Sequence, residues 1–377
     1  MVMPDPARDC SSSQPGVSVI VPARNEEASL GTCLESLASQ SDVNFEIVVV
    51  DDGSTDGTRK IAESFAGVHV IIPGPLPPNW TGKNNAVAAG ARHARGEWLL
   101  FTDADTVHLP GSLARALAEA NQHEAALLSY SPEQEVHGFW EKAVVPVIFA
   151  ELAATYSPSA VSDPSSPAAA ANGQYILISR EAYDAIGGHA AVATSLLEDV
   201  ELARVVKTTG RKIFFRYGGD AVRTRMYRSF AQLREGWTKN LVLLFPSPLQ
   251  LTITRLTEFL LIVGAIALAI GAAIFNHHGV AGIAALLATI LLGFLFKRIR
   301  RAHFYWDANV LSVFGLPLFS YLLLRSKSSY KRSRVSWKGR TYTTSGRIST
   351  RDPGEIHVGT AARGCPAEQG SGRITQH

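Results

Sequence analysis

The sequence predicts an α/β protein built on a mostly parallel, doubly wound sheet and followed by C-terminal transmembrane helices. Three observations predict it. Short apolar runs alternate with helical patterns from Val17 to about Tyr130; several of these runs end in acidic or cationic motifs; and two nearly charge-free segments follow residue 250. Alternation of strands and helices means βαβ units, and long apolar segments mean membrane spans.

Residues 1–16 hold Pro4, Asp5, Pro6, Asp9 and Pro15 with a serine cluster and no apolar core. They read as a disordered lead, neither a signal peptide nor an anchor. The domain that begins at Val17 is therefore expected to fold in the cytoplasm. Strands are expected at 17–21, 45–50, 68–72, 98–102 and 125–129. Leu30, Cys33, Leu34 and Leu37 mark a helix after the first, Ile61 and Phe65 one after the second, and Val87, Ala91 and Ala94 one after the third. A catalytic domain over 17–245 is the resulting expectation. The Ser, Pro and Ala composition of 157–170 predicts a mobile connection inside it.

Overall composition sets bounds. Hydrophobic residues make up 46% of the 377-residue chain and charged residues 18%, and the net charge of +3 conceals a basic C-terminal third. Cys10, Cys33 and Cys365 are too far apart to suggest a disulfide framework or a thiolate zinc site. No nucleic-acid partner is expected.

The membrane region is expected over 250–330. Residues 256–275 contain one charge, Glu258, and residues 279–296 contain none. At about 1.5 Å per residue each can cross a core of about 30 Å. The Asn276-His277-His278 link makes them a hairpin, and Lys297, Arg298, Arg300 and Arg301 hold its far end in the cytoplasm by the positive-inside rule. The alternative is a pair of buried helices. Residues 308–324 are apolar but interrupted by Gly315 and Pro317, so a re-entrant or interfacial element is preferred there to a full span. Residues 139–155, with Pro146 inside, read equally as a buried helix or a membrane-surface helix. Residues 331–377 are expected to form a basic, mostly disordered cytoplasmic tail.

The motifs carry the chemistry. Asp103-Ala104-Asp105 ends the fourth expected strand, and period-2 geometry puts both carboxylates on one side, where they can share a Mg²⁺ or Mn²⁺. Two solvated loop acids are the plain alternative. Pro22-Ala23-Arg24-Asn25-Glu26-Glu27 follows the first strand, either as a nucleotide loop or as acids decorating a helix N-terminus. Asp51 and Asp52 close the second strand, where an acid can accept from a uracil ring or from ribose hydroxyls. Gly82-Lys83-Asn84 opens a helix, so Lys83 can meet phosphate. It is not a P-loop, and no G-x-G-x-x-G follows a strand.

Taken together, V-P-A-R-N-E-E, V-V-D-D-G-S-T-D-G-T, G-K-N-N-A, F-T-D-A-D and Leu197-Glu198-Asp199 resemble the family 2 glycosyltransferases of GT-A fold. With the hairpin and Val335-Ser336-Trp337-Lys338-Gly339-Arg340, the chain is similar to a membrane-anchored subgroup, the hopanoid-associated and carotenoid-acid (diaponeurosporenoate) glycosyltransferases. Ceramide glucosyltransferase is a more distant likeness. The resemblance implies a nucleotide-sugar bordered by Pro22, Ala23, Arg24, Glu26, Asp51, Asp52, Lys83 and Asp103, with Asp103 and Asp105 holding a divalent metal. It implies Asp199, beside Glu198, as the catalytic base, and Gly187, Gly188 and His189 as shaping the acceptor pocket.

Processive members carry Q-x-x-R-W, whereas this chain reads Gln232-Leu233-Arg234-Glu235-Gly236-Trp237-Thr238-Lys239. Transfer of a single sugar is therefore expected; the resemblance implies a UDP-hexose such as UDP-glucose as donor and a membrane lipid as acceptor, with Trp237 and Lys239 near the acceptor or diphosphate. A polymer synthase, a polyprenyl-phosphate glycosyltransferase and an inactive scaffold of the same fold are the competing readings. Trp337, Lys338 and Arg340 either hold anionic lipid or fold back over the diphosphate.

Overall fold

The computed structural model describes residues 14–332, 335–337 and 340–342. Seven strands form the main sheet: β1 (Val17–Ala23), β2 (Phe45–Asp51), β3 (Val68–Ile71), β4 (Trp98–Phe101), β6 (Leu127–Ser131), β8 (Ile176–Ser179) and β9 (Ile213–Tyr217). Their order is β3-β2-β1-β4-β8-β6-β9, with β8 antiparallel to both neighbours and every other pairing parallel. A smaller sheet joins β5 (Thr106–His108), β10 (Val222–Thr224) and β7 (Glu133–Gln134).

Strand side chains alternate between two cores. Ile20, Val48, Leu99, Phe101 and Ile178 face one; Val19, Val21, Val49, Leu100 and Leu177 face the other. Helices α1 (Leu30–Ala38), α2 (Thr58–Glu63) and α4 (Ser112–Gln122) contribute buried residues to the second layer. Helices α3 (Gly82–His93), α7 (Arg180–Ala185) and α8 (Glu198–Thr208) contribute to the first. Burying both faces is what drives the near-continuous apolar runs of β1 and β2.

The connection at 157–170 differs from its expectation. It contains α6 (Pro158–Ser162), Val161 is fully buried, Ala169 and Ala170 are 5% exposed, and Lys207 donates to the carbonyls of Val161 and Ala168. Small residues here are a means of close packing against α8.

A third core joins α5 (Phe139–Thr155), α9 (Phe230–Leu244), α10 (Pro248–Ile274), α11 (His278–Ile299) and α12 (Trp306–Lys331). Nine of the seventeen residues of α5 are buried, while Phe139 and Trp140 at its start are exposed. α10 and α11 form the expected hairpin and are long and apolar enough to cross a membrane. α12 has the same capacity by length and composition and runs unbroken through Gly315 and Pro317. Gly315 does not interrupt it; a Cβ there would stand 1.9 Å from the Ala143 carbonyl oxygen, so glycine permits the crossing of α12 over α5. An antiparallel pair, β11 (Val335–Trp337) and β12 (Arg340–Tyr342), lies against α9. The expected disorder of residues 1–16 and 331–377 falls almost wholly outside the described residues.

Candidate functional site

The sheet order reverses beside β1, between the β2 and β4 sides, and the carboxyl ends of these strands meet at one edge. Crevices at such a reversal are where open α/β sheets bind ligands. Pro22 and Ala23 end β1, and Asp51 ends β2. The two loops that follow are stitched together: Glu26 donates its N–H to Thr58 Oγ1 at 2.7 Å, Thr55 N–H donates to Asn25 Oδ1 at 2.9 Å, and Arg24 donates to the Asp52 carbonyl. Asn25 adopts φ 54°, a conformation asparagine tolerates well. Asp51, 5% exposed, accepts from the Ser54 N–H at 3.0 Å.

Asp103 and Asp105 depart slightly from expectation. β4 ends at Phe101, so both acids sit in the turn between β4 and β5 and not on an extended strand end. The alternation nevertheless survives: both are half-buried while Ala104 points into the core. A buried polar chain fixes the turn from below. Thr102 Oγ1 donates to the Gln174 carbonyl at 2.8 Å, Gln174 Nε2 to Thr224 Oγ1 at 3.1 Å, and Thr224 Oγ1 to the Asp105 carbonyl at 3.1 Å. Burial, reinforced by the charges of Asp105, Asp103 and Glu26, pushes the Cys33 thiol far up. A cavity of about 230 Å³ opens beside Asp105, with Ser29, Thr32, Glu135 and Arg225 in its wall.

Lys83 joins this edge to the other half of the site. Its Nζ lies 2.8 Å from Asp103 Oδ1 and 2.8 Å from Glu198 Oε1. Although desolvation opposes its charge, Asp103 and Glu198 hold its pKa well above the usual lysine value. Asp199 stands beside Glu198 in the first turn of α8, where the helix dipole favours acids. Its carboxylate accepts from the N–H of Gly173 at 2.9 Å and of Val200 at 2.8 Å. Desolvation and the neighbouring Glu198 nonetheless raise it to about 6. Glu198 moves the other way: burial opposes its charge, but Lys83 and Lys239 hold it below its usual range. Lys239 is half-buried on α9 and lowered, chiefly by desolvation.

Three residues to which the sequence reading gave no role shape this cluster. Gly173 packs so closely that a Cβ would lie 3.0 Å from Lys83 Nζ and 3.4 Å from Asp199 Oδ2. Asn84, fully buried, donates to the carbonyls of Val192, Ala193 and Ser195 at 2.8, 3.0 and 3.1 Å, clamping that loop to the start of α3. Gln174 supports the acidic turn. The G-K-N-N run was a visible signal for Asn84; nothing local pointed to Gly173 or Gln174.

His189 lies in the interior of the protein. It is 3% exposed, its Nδ1 is 2.9 Å from the Tyr183 hydroxyl, and its ring meets Phe101 edge-on at 4.7 Å. Burial lowers it to about 4, so it is neutral. Gly187 and Gly188, at φ 78° and 57°, make the turn that brings it under the cluster. This segment therefore lies close enough to Glu198 and Lys83 for their charges to act on His189.

Trp237, 3% exposed, packs near Phe149 and Tyr227, and its Nε1 has no hydrogen-bond partner among the described residues. The Gly236 that breaks the processive pattern makes room for Tyr227, whose hydroxyl would lie 2.3 Å from a Cβ there. Trp337 and Arg340 pair in the β11–β12 ladder beside α9, while Lys338 lies outside the described residues.

Two half-buried carboxylates in one turn are hard oxygen donors suited to Mg²⁺ or Mn²⁺. Among the described residues no group of three or more His, Cys, Asp or Glu could enclose a metal. Two carboxylates alone would leave coordination positions open on such an ion.

This mixed α/β sheet, with its acidic turn, holds the segment that matches a glycosyltransferase family, and three apolar helices follow it. Residues 18–187 match the model of Glycosyl transferase family 2, and the chain carries a catalytic domain of that family. It is 28% identical over 354 residues to the 4,4'-diaponeurosporenoate glycosyltransferase of Staphylococcus aureus strain USA300, covering 90% of this chain and 91% of the relative. Among solved structures it is similar to the mannosyltransferase PcManGT from Pyrobaculum calidifontis in complex with GDP-Man and Mn²⁺. That chain shows 20% identity and a TM-score of 0.48, with 87% of this chain and 89% of that one covered.

Proposed function

We propose that this glycosyltransferase is a multi-pass protein of the cell membrane that moves one sugar, with inversion, from a UDP-hexose such as UDP-glucose to a terpenoid lipid in the bilayer. The observation that carries the reading is the continuous contact from Asp103 through Lys83 to Glu198, with Asp199 beside it. It links an acidic turn suited to a diphosphate with a carboxyl suited to activating an acceptor. The name of the Staphylococcus aureus relative supports a terpenoid acceptor. Lys297, Arg298, Arg300 and Arg301 at the end of α11 support a cytoplasmic catalytic domain.

In this reading the loops of Pro22, Ala23, Arg24, Glu26, Asp51 and Asp52 hold the nucleoside, with the buried Asp51 accepting from it. Asp103 and Asp105 would hold Mg²⁺ or Mn²⁺, which when bound offsets charge on the leaving diphosphate. Lys83 and Lys239 add fixed positive charge to the same end. Asp199, ionised above pH 6, takes the proton of an acceptor hydroxyl and is worth about 10²–10⁴-fold there. A carboxylate acceptor arrives already ionised, and Asp199 then matters less.

The test uses the full chain in vesicles with UDP-glucose and a terpenoid alcohol or acid. Transfer of a single hexose, supported by Mg²⁺ or Mn²⁺ and lost in Asp103→Ala and Asp105→Ala, is expected. Undiminished transfer by both variants overturns the reading, and products longer than one sugar replace it with a polymer synthase.

A further inference from the structure

α12 is long and apolar enough to span a bilayer, yet both of its ends are fastened to the catalytic side of the molecule. At its start Asp307 accepts from Lys142 Nζ of α5 at 2.6 Å. Near its end the Tyr330 hydroxyl donates to the Lys239 carbonyl of α9 at 2.8 Å, and Ser326 Oγ accepts from the Val242 N–H at 3.0 Å. Between them Gly315 crosses α5 at Ala143.

α5 does not itself leave the catalytic domain. It follows β7 of the small sheet, and the α6 segment after it returns to the main sheet, where Ser162 Oγ accepts from the Phe215 N–H of β9 at 3.0 Å. A helix that crossed the membrane would carry its ends to opposite faces of a core about 30 Å thick. These contacts keep both ends on one face.

The two faces of α12 differ sharply. Leu316, Phe319, Leu322 and Leu323 are fully buried, whereas Trp306, Val310, Phe314, Tyr321 and Leu324 are 78%, 52%, 56%, 44% and 45% exposed. Their spacing makes one helical stripe. Phe139, whose ring lies 6.3 Å from that of Phe314, widens it, and exposed Leu249 and Ile253 continue it onto the base of α10. For α10 and α11, 17% of the apolar window is buried in the protein; for α12 the share is 44%. A helix buried along one side and aromatic along the other suits a boundary between protein and lipid.

We infer that α12 lies along the membrane surface, its Trp306–Leu324 stripe sunk to the headgroup–acyl boundary of the bilayer that α10 and α11 enter. Arg325, Lys327, Lys331 and Arg332 at its end meet anionic headgroups. Because Tyr330 and Ser326 hold the α9 segment that carries Lys239, this seating also fixes the height of the site above the lipid. The inference rests on the membrane transferase reading and refines where its acceptor meets the site.

Spin labels at positions 306, 310, 314, 321 and 324, one at a time in the full chain in phosphatidylcholine–phosphatidylglycerol vesicles, test it by their depth. All five are expected at one shallow depth. A depth that passes through the bilayer centre along the helix makes it a span and overturns the inference. Labels held immobile and out of reach of lipid-soluble relaxants do the same, in favour of a second copy of the chain on this face. In parallel, the double variant Trp306→Glu/Phe314→Glu is expected to lose about tenfold in transfer to a bilayer acceptor, with hydrolysis of the sugar donor in the absence of acceptor unchanged. Unchanged transfer overturns the coupling of seat to site. The depth measurement needs no substrate, so its failure leaves the transferase reading standing.

Discussion

Two clusters of alternating charge hold this molecule together, and they are built to opposite specifications. At the foot of the hairpin, Glu151 and Glu258 meet Arg255 and Arg298 in a closed ring of contacts of 2.8–3.2 Å, with every side chain at most 16% exposed. Two positive charges face two negative ones, and the ring ties α5 of the catalytic domain to α10 and α11. At the sheet edge, Asp103, Glu198 and Asp199 face Lys83 and Lys239, an acidic excess with Asp199 pushed up to about 6. A balanced ring is a clamp, since desolvation is offset on all sides. An unbalanced one stays short of positive charge until a cation or a reacting group arrives, which is how active sites keep shifted groups.

The contrast can be broken from either side. Lys83→Met leaves three acids crowded at the sheet edge, and the largest effect is expected there: a fall of about 10³-fold in kcat/KM, the scale of losing one preorganised electrostatic contact. Membrane insertion and hairpin docking should be untouched. Glu151→Gln does the reverse. It strands two buried arginines against one acid, so the protein in detergent should lose about 3 kcal/mol of stability while KM for the donor holds. Equal damage to activity and stability by both variants would erase the distinction.

Smaller effects sharpen it. Asp199→Asn should cost about 10²-fold with a terpenoid alcohol and far less with a terpenoid acid, compared by initial rates on the two acceptors. A base of pKa about 6 is ionised above that value and protonated below it. Transfer to the alcohol should therefore fall about tenfold per unit well below pH 6, while the acid acceptor shows a shallower limb in a pH–rate profile. Smallest is Gly173→Ala, whose Cβ would press on Lys83 at 3.0 Å; a fall of a few fold in kcat, with donor KM kept, is expected because the lysine tip can shift.

Much of this was legible in the chain. The apolar runs of β1, β2 and β4 located the core, because strands buried on both faces read as near-continuous apolar runs. The acids that end them stood out for the same reason. Gly315 and Pro317 read as a break in 308–324, but one serves a close helix crossing and the other is carried inside α12. His189 read as pocket-forming because its glycine pair marks a loop; its burial depends on Phe101 and Tyr183, which come from other elements.

By itself the sequence determined strands β1, β2, β3, β4 and β6 and the two long apolar segments of α10 and α11, and it set Asp103 and Asp105 one residue apart after β4, because each follows from the pattern of neighbours a few residues apart. Tertiary structure alone decided that β8 enters antiparallel between β4 and β6, that Lys83 reaches across to Glu198, and that α12 is tied down at both ends. Those contacts join residues tens to hundreds of positions apart. They exist because separate apolar faces must be buried against one another, and no local pattern records which face finds which.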